Sequence, residues 1–240
     1  SLAMWQLAPG DRLRISAPMN HFALAWDAPA WLLVAGGIGI TPLVRMAQAL
    51  ASKGPAVRML YGVRSADELA YADTLTAVLG DRLHTVVGAA MDLSAAIASL
   101  PEGGHMMVCG PAPMLEAARQ AWSDAGRLAA DLRFETFGSS GHLPPQTFRV
   151  QVPRHGLDIQ VPPDISLLDA LEAAGVPALS DCRRGECGLC ALDVLAVDGA
   201  VDHRDVYLSP QERQANQRIC ACVSRVVGSI TVDSAWRAGA

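Results

Sequence analysis

Cys182-Arg-Arg-Gly-Glu-Cys187-Gly-Leu-Cys190, followed downstream by Cys220-Ala-Cys222, is the stretch that decides how this 240-residue chain is read. Three thiols spaced C-x₄-C-x₂-C, with a further Cys well down the chain, form the plant-type ligand pattern of a [2Fe–2S] cluster. The loop must wrap tightly to bring its sulfurs onto two irons. Gly185 and Gly188 supply the backbone freedom, and without side chains they let amide N–H groups approach the cluster. A structural zinc site is the competing reading, because Cys187-x₂-Cys190 and Cys220-x-Cys222 form two pairs. Zinc prefers matched C-x₂₋₄-C pairs and has no use for Cys182 at its spacing. Cys220 and Cys222 stand two apart in an expected strand, so they point the same way and either one reaches the fourth position.

Composition supports a chain with packed cores. The chain is 51% hydrophobic, which argues against disorder. Its net charge of −5 and lack of basic runs disfavour a nucleic-acid partner. Five of the six Cys lie between Cys182 and Cys222, a clustering that reads as a metal site in a reducing, cytoplasmic compartment. The apolar run Ala28 to Val44 contains Gly36, Gly37, Gly39 and Pro42. It reads as a buried strand feeding a helix, and no membrane partner is expected.

Upstream of the cysteines the pattern alternates. Strands are expected at Arg12–Ile15, Trp31–Ala35, Val57–Tyr61, Leu83–Val87, Met106–Cys109 and Leu132–Phe137. Helices are expected from Thr41 (as N-cap) to about Lys53, then at Ala70–Leu79, Leu93–Leu100 and Ala112–Ala125. Gly54-Pro55 would end the first of these. Strands alternating with helices imply an α/β fold with a parallel sheet. Gly, Ser and Pro crowd into Gly138–Pro145, which reads as a linker. Beyond it, a hairpin (Phe148–Val152, Leu157–Val161), a helix capped by Ser166 and later strands make a small α+β unit.

Gly36-Gly37-Ile38-Gly39 sits at a strand-to-helix turn, at the carboxyl end of a parallel strand. Backbone amides there suit a pyrophosphate. Cys109-Gly110-Pro111 ends another strand and would face the same crevice. Arg64 follows the second strand, on the adenosine side of a dinucleotide. One aromatic of Phe134-Glu-Thr-Phe137 would cover a flavin or nicotinamide ring. His203-Arg204-Asp205 reads as a local polar turn, with His203 or Arg204 paired to Asp205.

Taken together, Ala35-Gly-Gly-Ile-Gly-Ile-Thr-Pro42, Cys109-Gly-Pro111, Phe134-Glu-Thr-Phe-Gly138, the cysteine loop, Asp202-His-Arg-Asp205 and Cys222-Val-Ser-Arg225 resemble the phthalate dioxygenase reductase family, in order along nearly the whole chain. That family also includes vanillate demethylase reductases and the reductase segments of self-sufficient P450s. The resemblance implies three parts: a flavin β-barrel holding FMN, a nicotinamide-nucleotide domain and a β-grasp plant-type ferredoxin domain. It assigns residues 1–30 to a remnant of the barrel, 31–138 to the NAD(P)-binding domain, 139–146 to the linker and 147–240 to the ferredoxin domain. It implies hydride transfer from NADH, or from NADPH if Arg64 takes a 2′-phosphate, onto FMN. Electrons then pass singly through [2Fe–2S] to a terminal oxygenase of Rieske or P450 type.

On this resemblance Gly36, Gly37, Gly39 and Thr41 line the pyrophosphate, and Cys109 and Gly110 lie by the nicotinamide. Phe137 lies beside the flavin, which makes Cys109 and Phe137 the candidate catalytic residues. Cys182, Cys187, Cys190 and Cys222 become the cluster ligands, since Cys-Val-Ser-Arg favours Cys222 although the shorter gap to Cys220 looks more like plant ferredoxins. The alternative is a non-catalytic ferredoxin-type carrier whose α/β domain only docks. Residues 1–30 are too few for a flavin barrel, with Arg12–Leu24 resembling its last strands and Ser1 a residue of its phosphate-binding turn. The chain is therefore expected to be a piece of a longer reductase. A flavin is needed to split a two-electron hydride for a one-electron cluster. Purified alone, the chain is expected to be brown from iron and sulfide, to hold little FMN and to be reduced slowly by NADH. Stoichiometric FMN, or rapid bleaching by NADH, would overturn that expectation.

Overall fold

The computed structural model describes residues 2–15, 17–18, 20–53, 56–137 and 141–234. The expected helix stop at Gly54-Pro55, the first part of the linker (138–140) and the reading of Ser1 lie outside the described residues.

A four-residue helix, α1 (Leu2–Trp5), opens the described chain. The expected strand at Arg12–Ile15 does not form, and neither sheet contains it. A strand is stable only with a neighbour to complete its ladder, and alternation alone does not supply one. The following stretch instead packs on the α/β unit. Phe22 and Ala28 are buried, the Trp31 indole donates to the Ala25 carbonyl at 3.0 Å, and Arg133 donates to the Ala23 carbonyl at 2.8 Å.

The first unit contains β1 (Ala30–Gly36), α2 (Ile40–Ser52), β2 (Ala56–Val63), α3 (Ala72–Leu79), β3 (Leu83–Val87), α4 (Leu93–Ala98), β4 (His105–Cys109), α5 (Ala112–Asp124) and β5 (Leu132–Glu135). All its strands are parallel, in the order β3-β2-β1-β4-β5. Central β1 is buried along its whole length, as expected of a strand covered on both faces. Its side chains alternate between two cores. Trp31, Leu33 and Ala35 join Leu43, Ala47 and Leu75 of α2 and α3, while Leu32 and Val34 join Ile97, Leu115 and Trp122 of α4 and α5. Each large apolar side chain buried this way contributes about 1.5–3 kcal/mol.

The second unit contains β6 (Phe148–Val152), β7 (Leu157–Val161), α6 (Leu167–Ala173), β8 (Ala191–Asp202), α7 (Pro210–Ala215), β9 (Arg218–Cys220) and β10 (Arg225–Asp233). Its sheet runs β7-β6-β10-β8-β9, with β6 and β10 parallel and the other pairs antiparallel. The expected hairpin is present, turning through Gly156 at φ 60°. Ser166 caps α6 in a reciprocal capping box with Asp169, and the apolar stripe of Leu167, Leu168 and Leu171 packs on the sheet. Helix α7 was not expected, and the strand expected to carry both Cys220 and Cys222 is the short β9, which pairs with β8 and ends at Cys220. Because β9 stops at Cys220, strand alternation does not govern Cys222, which lies in the turn that follows.

The two units pack on each other. Val206, from the second, is buried in the core of α4 and α5. Arg119 of α5 donates to the Val206 carbonyl at 2.6 Å, and Arg213 pairs with Glu116 at 2.9 Å. The described end of the linker is pinned by Asp202, which accepts the His142 N–H at 2.9 Å and pairs with Arg204 at 2.8 Å. Burial raises the Asp202 carboxyl's pKa, but the His142 amide and Arg204 outweigh it, so the pKa lies below the ordinary value. A lowered carboxylate pKa gives stability that is present above the unfolded value and lost as pH falls through the folded one. Asp202→Ala is expected to cost about 3–5 kcal/mol at neutral pH. Measured by denaturant unfolding, the deficit should shrink as the pH falls into the carboxylate range.

Candidate iron-sulfur centre and nucleotide cleft

The cysteine loop joins α6 to β8 without regular structure. Arg183, Gly185 and Gly188 take left-handed conformations, with φ of 51°, 75° and 75°. These bends turn amides inward. The N–H of Arg184 lies 3.4 Å from the Cys182 sulfur, and the N–H groups of Glu186 and Cys187 point at the same atom. Leu189 N–H serves Cys187, and Gly185 N–H serves Cys222. Neither glycine tolerates a Cβ: at Gly188 it would lie 2.2 Å from the Tyr207 ring, and at Gly185 2.6 Å from Val223.

The sulfurs fall into two pairs. Cys182 and Cys187 share a hydrogen bond, and Cys190 and Cys222 are 3.1 Å apart. Burial works against ionising Cys182, yet its three amide donors pull the thiol below its usual range. Cys190 is pulled down to about 3 by hydrogen bonds from the thiols of Cys220 and Cys222, which rise in turn. All six cysteines are free of disulfides. Among the described residues no three His, Cys, Asp or Glu side chains gather for a single ion. Two close thiol pairs with backbone amides aimed at Cys182, Cys187 and Cys222 suit the sulfur-rich, amide-lined surroundings of a two-iron cluster. Cys220, at the end of β9, is fully buried and also reaches Cys190, whereas Cys222 faces the loop amides.

The turn 202–208 buttresses this loop. Val206 N–H donates to the Gly185 carbonyl at 2.9 Å. Asp205 accepts the Leu208 N–H at 2.8 Å and the Ser224 hydroxyl at 3.2 Å, and lies 3.6 Å from His203. Of the two pairings expected, His203 therefore faces Asp205, while Arg204 turns to Asp202.

At the carboxyl edge of the parallel sheet is a cleft of about 950 Å³, lined by Gly36, Gly37, Arg64, Glu68, Gly110 and Phe137 among others. Gly37 has φ 53° and open space where a side chain would be. Gly39 does not line the cleft. A Cβ on it would lie 2.0 Å from the Cys109 carbonyl oxygen, so its role is close packing. Thr41 is not the N-cap: Gly39 precedes the helix, and the Thr41 hydroxyl donates back to the Ile38 carbonyl at 3.0 Å. The glycines form a 3₁₀ turn that starts the helix earlier than the Thr-Pro signal implied. Cys109 is fully buried in the core against α2, and burial raises its thiol to about 12. Its neighbour Gly110, not the thiol, reaches the cleft.

A second cavity of about 730 Å³ is lined by Thr41, Pro42, Glu135 and Phe137 from one unit and by Arg183, Arg184 and Val223 from the other. Phe137 is 60% exposed and borders both cavities. The strand end beside it is held by the cysteine loop. Arg184 pairs with Glu135 and lies 3.3 Å from Glu186, and the Thr136 N–H donates to Glu186 at 2.7 Å. Burial pushes the Glu186 carboxyl upward. Sequence reading missed Glu68 and these cross-unit pairs. Glu135 and Arg184 both lie inside recognised motifs, but nothing local signals that they meet.

Closely paired free thiols in one loop and a glycine-lined cleft at the edge of a parallel sheet are the features of an electron-transfer oxidoreductase. Residues 150–227 match the 2Fe-2S iron-sulfur cluster binding domain, and residues 33–96 the oxidoreductase NAD-binding domain. The heme-dependent oxidative N-demethylase beta subunit of Ectopseudomonas mendocina is 39% identical over 225 residues, 93% of this chain and 71% of that protein. The toluene-4-sulfonate monooxygenase system reductase subunit TsaB1 of Comamonas testosteroni is 38% identical over 229 residues, again 93% and 71%. Among solved structures, phthalate dioxygenase reductase, described as a modular structure for electron transfer from pyridine nucleotides to [2Fe–2S], aligns with TM-score 0.71 and 29% identity, covering 91% of this chain and 69% of that one. The chain belongs to this family of NAD-linked [2Fe–2S] oxygenase reductases. The expected fold class and electron-transfer function both stand.

The Arg184–Glu135 contact joins the two units at half-buried side chains. A double-mutant cycle with Arg184→Ala and Glu135→Ala, read by denaturant unfolding, is expected to give about 1 kcal/mol of coupling. Zero coupling would mean the contact does not form in solution.

Proposed function

We propose that this chain takes electrons from a nicotinamide nucleotide at the glycine-lined cleft and delivers them, one at a time, to a terminal oxygenase of Rieske or P450 type. The nucleotide-binding domain is taken as residues 31–138, the linker as 139–146 and the ferredoxin domain as 147–240, in the cytoplasm. No helix among the described residues is long and apolar enough to cross a membrane. Gly36 and Gly37 present amides to the pyrophosphate, and Gly110 faces the nicotinamide. Cys109 supports that turn from within the core, and Gly39 and Thr41 shape it without touching the nucleotide. Cys182 with Cys187, and Cys190 with Cys222, hold the cluster, and the loop amides stabilise charge on the sulfurs.

The observation that carries this reading is the position of Phe137. It borders the nucleotide cleft on one side and, on the other, the cavity walled by Arg183 and Arg184 of the cysteine loop. That second cavity is assigned to a flavin ring. Bound there, FMN would convert a two-electron hydride into single electrons. Phe137 then lies against the ring site, and Glu135, Thr136, Arg184 and Glu186 keep the cluster loop beside it.

The experiment is a comparison of two serine variants. Cys222→Ser is expected to lose iron and visible absorbance, while Cys220→Ser keeps both. The reverse result would move the fourth ligand to Cys220, and full iron in both variants would remove Cys222 from the set.

A further inference from the structure

The nucleotide cleft ends, on its β2 side, in a single ion pair. Arg64 and Glu68 are the only charged residues among those described as lining it. One oxygen of the Glu68 carboxylate lies 3.3 Å from the Arg64 guanidinium, and the other accepts the Arg64 backbone N–H, also at 3.3 Å. The turn is tied down again from below. The Tyr61 hydroxyl donates to the Glu68 carbonyl at 3.3 Å, and Glu68 N–H donates to Ser65 at 3.1 Å. The carboxylate is therefore fixed, whereas the Arg64 side chain is 93% exposed.

The order of strands says which part of a nucleotide meets this turn. The glycine turn follows central β1, with β2 and then β3 on one side and β4 and β5 on the other. Phe137 and the cysteine loop lie on the β5 side, so the redox-active nicotinamide belongs there. A dinucleotide laid across the sheet edge then places its adenosine ribose on the β2 side, against Arg64 and Glu68.

We propose that Glu68 makes this cleft select NADH over NADPH by facing the adenosine 2′ position. The inference rests on reading the cleft as the nucleotide site. An ionised carboxylate only accepts hydrogen bonds, so it takes one from a ribose 2′-hydroxyl. A 2′-phosphate brings further negative charge and no comparable donor, and is repelled. Arg64 by itself would attract that phosphate. Here its charge is already met by Glu68, so Arg64 does not confer NADPH preference.

The test is calorimetric titration of the 240-residue chain with two redox-inert probes, ADP-ribose and its 2′-phosphate. The parent chain is expected to bind ADP-ribose about tenfold or more tightly than the 2′-phosphate. Glu68→Asp should keep most of that preference. Glu68→Gln should bring the two affinities within about threefold, chiefly by strengthening the 2′-phosphate, and adding Arg64→Ala should weaken the 2′-phosphate again. Equal affinities in the parent, or an unchanged preference in Glu68→Gln, would overturn the inference and leave the cleft reading standing. Failure of both probes to bind the parent would overturn both.

Discussion

The structure turns on keeping several sulfurs close together without letting them form disulfides. Thiolates repel one another, and burial penalises each of them. The cysteine loop answers this with backbone rather than side-chain charge: left-handed bends at Arg183, Gly185 and Gly188 aim successive amides at the sulfurs. Such a loop cannot stand alone, because its own backbone bonds are turned away from regular structure. It is braced instead by Asp205, Ser224 and Val206, while Asp205 and Val223 leave no room for a Cβ at Gly185 and Tyr207 leaves none at Gly188.

The same loop is also the joint between the two units. Arg184 and Glu186 lie between Cys182 and Cys187 in the sequence, yet their partners are Glu135 and Thr136 at the edge of the other sheet. A residue pair that fixes the loop's distance from Phe137 thereby links the cysteine loop to the glycine-lined cleft. Val206 adds an apolar contact, buried beside Trp122 and Leu115. Charge pairs at a half-exposed joint contribute modest stability but set register, and register matters where electrons must cross.

Much of this was legible in the primary structure. Period-two and period-3.6 patterns identified the parallel sheet, since a strand like β1, covered on both faces, has to be apolar throughout. The cysteine spacing pointed to the 2Fe-2S domain that residues 150–227 match, because ligand geometry limits the loop lengths that can wrap two irons. Motif order identified the family. The errors have physical causes. Arg12–Ile15 alternates but has no strand beside it. Thr41 looks like a cap, but the glycine turn starts the helix before it. Cys109 looks like a cleft residue by its place at a strand end, but its side chain points into the core formed with α2.

By itself, the sequence determined the elements, their order and the chemical identity of the donors, since these depend on local periodicity, spacing and residue type. Only the tertiary structure decided which glycines open to the cleft and which merely pack, how the thiols pair, and that Glu68 meets Arg64 at the cleft's edge. Each of these depends on where side chains from different elements come together, and the separation of residues along a chain does not encode their direction in space.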